Sequence, residues 1–150
     1  MDKYDVLKLD NQLCFPLYAA SKEVIRLYRP FLEKLDLTYT QYIAMMVLWE
    51  NREVNVKKLG ERLFLDSGTL TPVLKSLETK GYLKRHRSSE DERVLLATVT
   101  DEGMRMREKA LAVPGEVASC VSLSVEEAVT LKSILVRLLE SFSACDNSGR

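Results

Sequence analysis

Residues 57–98 read KKLGERLFLDSGTLTPVLKSLETKGYLKRHRSSEDERVLLAT, and the pattern of this stretch decides the fold. Apolar residues at helical spacing predict a short helix over residues 56–64 and a longer one over 68–80. Two strands should follow, over residues 82–87 and 93–99, around a polar tip. Helix, turn, helix and hairpin in this order are typical of a winged helix-turn-helix, a mainly α fold with a small β-hairpin wing.

The longer helix carries clear start and stop signals. Asp66 or Ser67 can cap its first amide groups, and Pro72 falls in its early turns, where a missing N–H costs least. Gly81 readily adopts the left-handed conformation that commonly ends a helix. The N-terminal residues of this helix therefore lie directly after the turn at residues 65–67.

The second helix of such a motif is the one that contacts DNA. It fits the major groove, about 12 Å wide, and presents its N-terminal residues to base edges. Small hydroxyl side chains there can bond to bases or phosphates, and an arginine at a hairpin tip can enter the minor groove. A structural hairpin with solvated lysines is the alternative interpretation. The candidate DNA-binding residues are Ser67, Gly68, Thr69, Thr71, Pro72, Lys75, Arg87 and Arg93.

Charge is balanced over the chain but not along it. The formal net charge is zero, from 22 basic and 22 acidic residues. Between Ser67 and Arg87, however, five basic residues occur with a single acidic one, Glu78. Because the Debye length is about 8 Å in physiological salt, local charge matters more than the sum. The basic residues suit a DNA-binding surface, although a solvated surface is again the alternative; they are Lys75, Lys80, Lys84, Arg85 and Arg87.

Two helices are expected before the motif. Apolar residues at helical spacing predict the first over residues 10–35, and Pro30 should kink or interrupt it. Thr40 is expected to cap the second helix, which runs through Trp49. Residues 42–49 are apolar nearly all round, which is typical of a buried helix.

Further helices are expected after the wing. One should open at residues 100–102, and the Pro114-Gly115 pair should interrupt or kink it. The residues Ser124 to Glu127 resemble a capping box at the start of a last helix. That helix carries an apolar stripe at helical spacing, namely Ala128, Leu131, Leu135, Leu138 and Phe142. Apolar stripes on several terminal helices exceed what one winged helix can cover, so we expect a homodimer.

Several classes of protein are disfavoured by the composition. No apolar run approaches twenty residues, so a membrane span is not expected. The N-terminal sequence lacks the basic and apolar regions of a secretory signal, which predicts a cytosolic protein. Cys14, Cys120 and Cys145 are far apart and form no C-x-x-C pair, which argues against a zinc site or a disulfide scaffold. We predict no catalytic site, no metal site and no cofactor.

A wider pattern supports the DNA-binding interpretation. The run LDSGTLTP at residues 65–72, together with Leu74, Leu77-Glu78, Gly81 and Asp91-Glu92-Arg93, resembles the MarR family of repressors. The likeness is closest to their organic hydroperoxide-sensing branch, the OhrR-type repressors. It extends from residue 11 to residue 115 and fades over the last thirty residues.

The resemblance implies one MarR-type domain over residues 1–150. Residues 1–36 and 101–145 would form a helical dimerisation region with interlocked first and last helices, and residues 37–100 the DNA-binding region. Members of this family bind pseudo-palindromic operator DNA as homodimers. Their pattern implies that Asp91 and Arg93 support each other in the wing, with the arginine near the minor groove.

Cys14 is the candidate redox residue. Near the start of the first helix, the helix dipole favours a thiolate, which attacks peroxides to give sulfenic acid. From the residue alone, a buried and inert cysteine is the alternative. The resemblance places Cys14 on the reactive cysteine of the family. It also implies that Tyr28 and Tyr39 donate hydrogen bonds to the sulfur across the dimer interface. The apolar neighbours that would favour an organic hydroperoxide are Leu13, Phe15 and Leu17.

The fate of oxidised Cys14 stays open. The resemblance implies either a resolving cysteine of the partner subunit, for which Cys120 is the candidate, or a small thiol. Cys145 lies in a polar tail and is interpreted as incidental. His86 is interpreted as a phosphate contact or a surface residue.

The expected function is therefore a homodimeric repressor that releases its operator when an organic hydroperoxide oxidises Cys14. A thiol peroxidase is one rival, but no thioredoxin-like alternation of strands and helices is present. Other rivals are a MarR-family regulator that binds a small phenolic ligand and a global redox or virulence regulator.

Overall fold

The computed structural model describes the backbone of residues 2–148 and the side chains of residues 2–145. The chain divides into two compact units, Met1–Val117 and Ala118–Arg150. The helices are α1 (Cys14–Glu33), α2 (Tyr39–Asn51), α3 (Val56–Leu63), α4 (Ser67–Thr79), α5 (Asp101–Ala110), α6 (Val113–Ser119) and α7 (Val125–Ser148). The strands are β1 (Glu53–Asn55), β2 (Leu83–Arg87) and β3 (Leu95–Val99), and two short 3₁₀ turns, Asp5–Leu7 and Leu9–Asn11, precede α1. The fold is mainly helical with a small antiparallel sheet, as predicted.

Helix α1 starts later than expected and continues without a break through Pro30. It begins at Cys14, not at residue 10, because side-chain amides compete for the backbone just before it. Asn11 donates to the carbonyl of Asp5 at 2.7 Å, and Gln12 donates to the carbonyl of Val6 at 2.6 Å. The expected interruption at Pro30 is wrong, since α1 continues through it to Glu33. A proline so close to the helix end removes only one hydrogen bond, while the next turn packs into the core.

Helix α2 is the centre of the hydrophobic core. Its buried side chains include Ala44, Met45 and Leu48, none of which is exposed to solvent. The indole N–H of Trp49 donates to the carbonyl of Gly103 at 2.8 Å, which ties α2 to α5. The core therefore surrounds a helix that is apolar on nearly every face, as the sequence predicts.

The cap of α2 is Thr38, and the prediction of Thr40 is wrong. Thr38 has extended backbone, and its hydroxyl accepts from the N–H of Gln41 at 3.3 Å. The side-chain oxygen of Gln41 accepts in return from the N–H of Thr38 at 3.0 Å. This reciprocal capping box needs a glutamine or glutamate three residues after the cap, a condition that Thr38 meets and Thr40 does not.

The sheet has three strands in the order β1-β3-β2, all antiparallel. The hairpin of β2 and β3 was expected, whereas β1 was not. Glu53 of β1 pairs with Thr98 of β3, so the connection between α2 and α3 is part of the wing's sheet. The wing is therefore anchored to the helix-turn-helix by main-chain hydrogen bonds.

The break between α5 and α6 falls at residues 111–112, before the expected position at Pro114. Pro114 is the second residue of α6, where its missing N–H has no helical partner to lose. In the second unit, the predicted capping box is confirmed. Ser124 and Glu127 exchange hydrogen bonds of 2.8 and 3.1 Å at the start of α7.

The apolar stripe of α7 is uncovered in the single chain. Leu135 and Leu138 are half-buried, and every other side chain between residues 125 and 145 is exposed. Leu131 is 46% exposed and Phe142 is 54% exposed. Within the described part of the chain, no helix is both long enough and apolar enough to cross a bilayer.

Candidate functional site

Helix α4 divides cleanly into a buried face and an exposed face. Leu70, Leu74 and Leu77 point into the core, with at most 2% of each exposed. The helix is capped by Asp66, whose carboxylate accepts from the N–H of Thr69 at 2.8 Å. The predicted recognition residues all lie exposed on this helix; they are Ser67, Gly68, Thr69, Thr71, Pro72 and Lys75.

The wing tip is organised by one acidic residue. The carboxylate of Asp91 accepts two hydrogen bonds from the Arg93 guanidinium, at 3.0 and 3.1 Å, and one from the Arg93 N–H at 3.0 Å. These contacts lower the pKa of the Asp91 carboxyl and raise that of the Arg93 guanidinium. The Arg93 side chain remains 91% exposed. The tip therefore presents a positioned cation to solvent.

Arg87 is exposed at the end of β2, and its guanidinium donates to the Arg93 carbonyl at 3.4 Å. Two of the five basic residues counted in the sequence have other partners. Lys80 lies 3.4 Å from the carboxylate of Asp36, and Arg85 forms an ion pair with Glu78. The exposed cations that remain on α4 and the wing are Lys75, Lys84, Arg87 and Arg93.

The ion pair of Glu78 and Arg85 joins α4 to the wing. Glu78 accepts from the Arg85 backbone N–H at 2.8 Å and from its guanidinium at 2.9 and 3.1 Å. These hydrogen bonds, that from the backbone first, hold the pKa of the Glu78 carboxyl below its ordinary value. Helix α4 and the hairpin are thus fixed to each other at a half-buried contact.

His86 is exposed on β2, and its imidazole contacts side chains of the other two strands. Its Nε2 atom lies 3.0 Å from the hydroxyl of Thr98 and 3.3 Å from the carboxylate of Glu53. The Thr98 hydroxyl also donates to Glu53 at 2.6 Å, so one network spans all three strands. The bond from Thr98, with a smaller effect of His86, lowers the pKa of the Glu53 carboxyl.

Cys14 is exposed at the first residue of α1. Its predicted apolar neighbours are also exposed, with Leu13 at 82%, Phe15 at 43% and Leu17 at 38%. Tyr18 lies one helical turn after Cys14, on the same side of the helix. The Tyr18 hydroxyl is 3.3 Å from the ammonium of Lys22.

Tyr28 and Tyr39 lie together in a cluster that also contains Tyr42. The rings of Tyr28 and Tyr39 are 5.0 Å apart in an edge-on arrangement, and those of Tyr28 and Tyr42 are 5.9 Å apart. Burial is the main cause that raises the pKa of the Tyr28 and Tyr42 phenols. These hydroxyls are therefore hydrogen-bond donors at neutral pH.

The tyrosine cluster and Cys14 are far apart within one chain. Fourteen residues separate Cys14 from Tyr28 along α1, which at 1.5 Å per residue places them about 21 Å apart. A contact between the thiol and these phenols therefore requires a second chain. Cys120 and Cys145 are exposed in the second unit.

Comparisons with known proteins agree with this arrangement. A family model described as "Transcriptional regulator SarA/Rot" matches residues 26–110. The organic hydroperoxide resistance transcriptional regulator of Bacillus subtilis is 49% identical over 140 residues, which are 93% of this chain and 95% of the relative.

Solved structures of AbfR from Staphylococcus epidermidis are also similar. The structure of reduced AbfR bound to DNA is 34% identical and covers 96% of this chain and 99% of its own, with a TM-score of 0.79. A disulfide form of AbfR is 36% identical and covers 91% of this chain and 96% of its own, with a lower TM-score of 0.62. The predicted winged helix-turn-helix and the resemblance to the MarR family are confirmed. On sequence, fold and the exposed face of α4 together, the chain belongs to the MarR-type DNA-binding transcriptional regulators, in the branch of the organic hydroperoxide resistance regulators.

Proposed function

We propose that this protein is a homodimeric repressor that releases its operator DNA when an organic hydroperoxide oxidises Cys14. The observation that carries the proposal is the separation of the exposed Cys14 thiol from the Tyr28 and Tyr39 hydroxyls. Phenols can stabilise a thiolate or sulfenate by donating hydrogen bonds. In a dimer with crossed first helices, Cys14 of one subunit would meet the tyrosine cluster of the other.

The exposed apolar surface supports self-association. Patches beyond a few hundred Å² are uncommon on monomers and usually mark an interface. In the first unit, large apolar side chains before and along α1 are exposed; they include Tyr4, Val6, Leu7, Leu9, Leu13, Phe15, Val24 and Ile25. In the second unit, the large apolar side chains along α7 that are exposed are Val125, Val129, Leu131, Ile134, Val136, Leu139 and Phe142. A second copy of the chain is the partner that the family resemblance supplies.

The chemistry of the switch balances without a cofactor. The Cys14 thiolate attacks the terminal O–H oxygen of the hydroperoxide and the O–O bond breaks, so that a sulfenic acid forms and an alkoxide leaves, which takes a proton from water to become the alcohol. A second thiol then attacks the sulfenic sulfur, forming a disulfide and releasing water. That thiol is Cys120 of the partner subunit or a small cellular thiol. The exposed apolar side chains beside Cys14 favour an organic hydroperoxide over hydrogen peroxide.

DNA release would follow from the geometry of two-site binding. A dimer places its recognition helices one DNA turn apart, roughly 34–36 Å, to match the two half-sites. A disulfide at Cys14 displaces Tyr28 and Tyr39 of the partner subunit, and the helices lose this spacing.

The test is DNA binding by fluorescence anisotropy, with a labelled duplex that covers the protein's own promoter. Wild type should bind when reduced and release after stoichiometric cumene hydroperoxide, with a weaker response to hydrogen peroxide. Cys14→Ser should bind equally well and no longer respond, whereas Cys145→Ser serves as the matched control and should respond fully. Release from Cys14→Ser under peroxide would contradict the proposal. Release by salicylate without peroxide, unchanged in Cys14→Ser, would favour the phenolic-ligand alternative.

The resolving thiol is tested separately by non-reducing gel electrophoresis and mass spectrometry. With Cys120 as the resolving residue, peroxide produces a covalent dimer in wild type and in Cys145→Ser but not in Cys120→Ser. With a small thiol, wild type instead gains the mass of that thiol at Cys14. Persistence of the covalent dimer in Cys120→Ser would exclude Cys120 as the resolving residue.

A further inference from the structure

Gln41 has an environment that its role as a cap does not explain. Among the polar and charged side chains that the structure describes, it alone is buried, with 6% exposed. A buried amide is costly unless its hydrogen bonds are made. Both the oxygen and the nitrogen of the Gln41 amide make hydrogen bonds, and their partners lie in different parts of the fold.

One end of the amide belongs to the first turn of α2. The oxygen accepts from the N–H of Thr38 at 3.0 Å and completes the capping box. Tyr39 is the first residue of this same turn, and its ring packs 5.0 Å from that of Tyr28. The capping box therefore fixes Gln41 to the turn that carries Tyr39.

The other contacts reach the recognition helix. The amide nitrogen of Gln41 donates to the hydroxyl of Ser76 at 2.9 Å, and Lys80 donates to the amide oxygen at 3.2 Å. Ser76 lies on α4, and Lys80, four residues later, is the C-cap residue of that helix. Lys80 also donates to the carbonyl of Asp36, just before α2. A capping box needs only the oxygen of residue 41, so the contact with Ser76 serves a second purpose.

We propose that Gln41, through Ser76 and Lys80, transmits a displacement of Tyr39 to the recognition helix α4. This inference rests on the proposed function, in which oxidation of Cys14 displaces Tyr39 of the partner subunit. Because the capping box makes the first turn of α2 one unit, a shift of Tyr39 carries Gln41 with it. The shift then displaces α4 through Ser76, on its C-terminal half, and through Lys80, its C-cap residue. Gln41 is a positioning residue, since it is not among the residues expected to touch DNA or peroxide.

The experiment removes the contacts that Ser76 and Lys80 make with Gln41 and leaves the capping box of α2 intact. Ser76→Ala and Lys80→Met are made in the full chain, singly and together. Thr79→Ala is the matched control, because its hydroxyl bonds only within α4, to the carbonyl of Lys75 at 3.0 Å. For each protein, affinity for the promoter duplex is measured by anisotropy before and after one equivalent of cumene hydroperoxide. Mass spectrometry confirms equal oxidation of Cys14, and the readout is the ratio of oxidised to reduced Kd.

Ser76→Ala should lower this ratio about fivefold, the equivalent of one net hydrogen bond, and the double variant by roughly 25-fold. Reduced affinity should stay within twofold of wild type, and Thr79→Ala should keep the full ratio. Gln41→Glu should also keep the response, since its carboxylate can cap Thr38 and accept from both Ser76 and Lys80. If Ser76→Ala and Lys80→Met release DNA as completely as wild type, the relay is refuted. If wild type itself shows no change on oxidation, the proposed function fails, and the relay with it.

Discussion

Replacing Glu78 with alanine tests whether one ion pair fixes the wing to the recognition helix. Glu78 lies on α4, and Arg85 lies on the edge strand β2. Glu78→Ala removes both guanidinium contacts and the hydrogen bond from the Arg85 N–H. Arg85→Ala removes only the guanidinium contacts. The difference between the two variants therefore isolates the bond to the backbone.

The expected magnitude follows from burial. Exposed ion pairs contribute about 0.2–1 kcal/mol, and hydrogen bonds to charged groups contribute about 1.5–3 kcal/mol. The side chains of Arg85 and Glu78 are 20% and 34% exposed, so their coupling should lie between these limits, at about 1–2 kcal/mol. The backbone bond adds about 1 kcal/mol. Glu78→Ala should thus lower the free energy of unfolding by roughly 2–3 kcal/mol, and Tm by roughly 5–10 °C.

The assay is a double-mutant cycle of Glu78→Ala and Arg85→Ala in thermal and urea unfolding. All proteins are compared at one concentration, because self-association of the proposed dimer would shift the apparent stability. The matched control is the cycle of Glu102 and Arg105, an ion pair within α5 whose side chains are 52% and 67% exposed. That pair should show no measurable coupling. A coupling for Glu78 and Arg85 no larger than that of the control would refute the reasoning.

Three further expectations can be measured with the same methods. Arg85 holds the pKa of the Glu78 carboxyl below its ordinary value of 4.5. The stability that the ion pair contributes should therefore be complete above pH 4.5 and be lost as the pH falls through the lowered pKa. A difference in unfolding free energy between wild type and Arg85→Ala that stays constant from pH 6 to pH 3 would contradict this. Gly103→Ala should lower the free energy of unfolding by about 3 kcal/mol or more, because a Cβ at this position would lie 2.2 Å from the Tyr82 carbonyl oxygen. Gly115→Ala is the control and should not destabilise the protein, because a Cβ there would meet nothing within 4 Å. Arg93→Ala should reduce the slope of log DNA affinity against log salt concentration by about one. The neighbouring Glu92→Ala should leave DNA affinity unchanged or raise it. Equal slopes for wild type and Arg93→Ala would rule out a contact of Arg93 with phosphate or with a groove.

The helix-turn-helix was predictable because local signals agree with one another there. Leu70, Leu74 and Leu77 recur at helical spacing, so the exposed face of α4 followed once the buried face was identified. Gly81, with φ +81°, ends the helix as its position suggested. The sequence left Asp66 and Ser67 as alternative caps, and the structure selects Asp66.

Other features depended on partners distant in sequence. Strand β1 has three residues, too few for a periodic signal, and Glu53 bonds to Thr98, 45 residues away. The basic run showed where cations are frequent but not that Arg85 and Lys80 are already paired. The cap of α2 is a different case, since Thr38 and Gln41 have the capping-box spacing and were readable in the sequence. The contact of Gln41 with Ser76 was not, because only tertiary packing brings α2 and α4 together.

The short strand β1 also bears on the order in which the protein folds. An isolated two-stranded hairpin is marginally stable in water, so β2 and β3 need β1 to persist. Pairing Glu53 with Thr98 closes a loop of 45 residues, an entropic cost on the order of 3 kcal/mol. That closure becomes favourable only after α2, α3 and α4, which lie inside or beside the loop, have packed. The wing should therefore form last. A partly folded chain would then lack the stable wing that contributes to DNA binding.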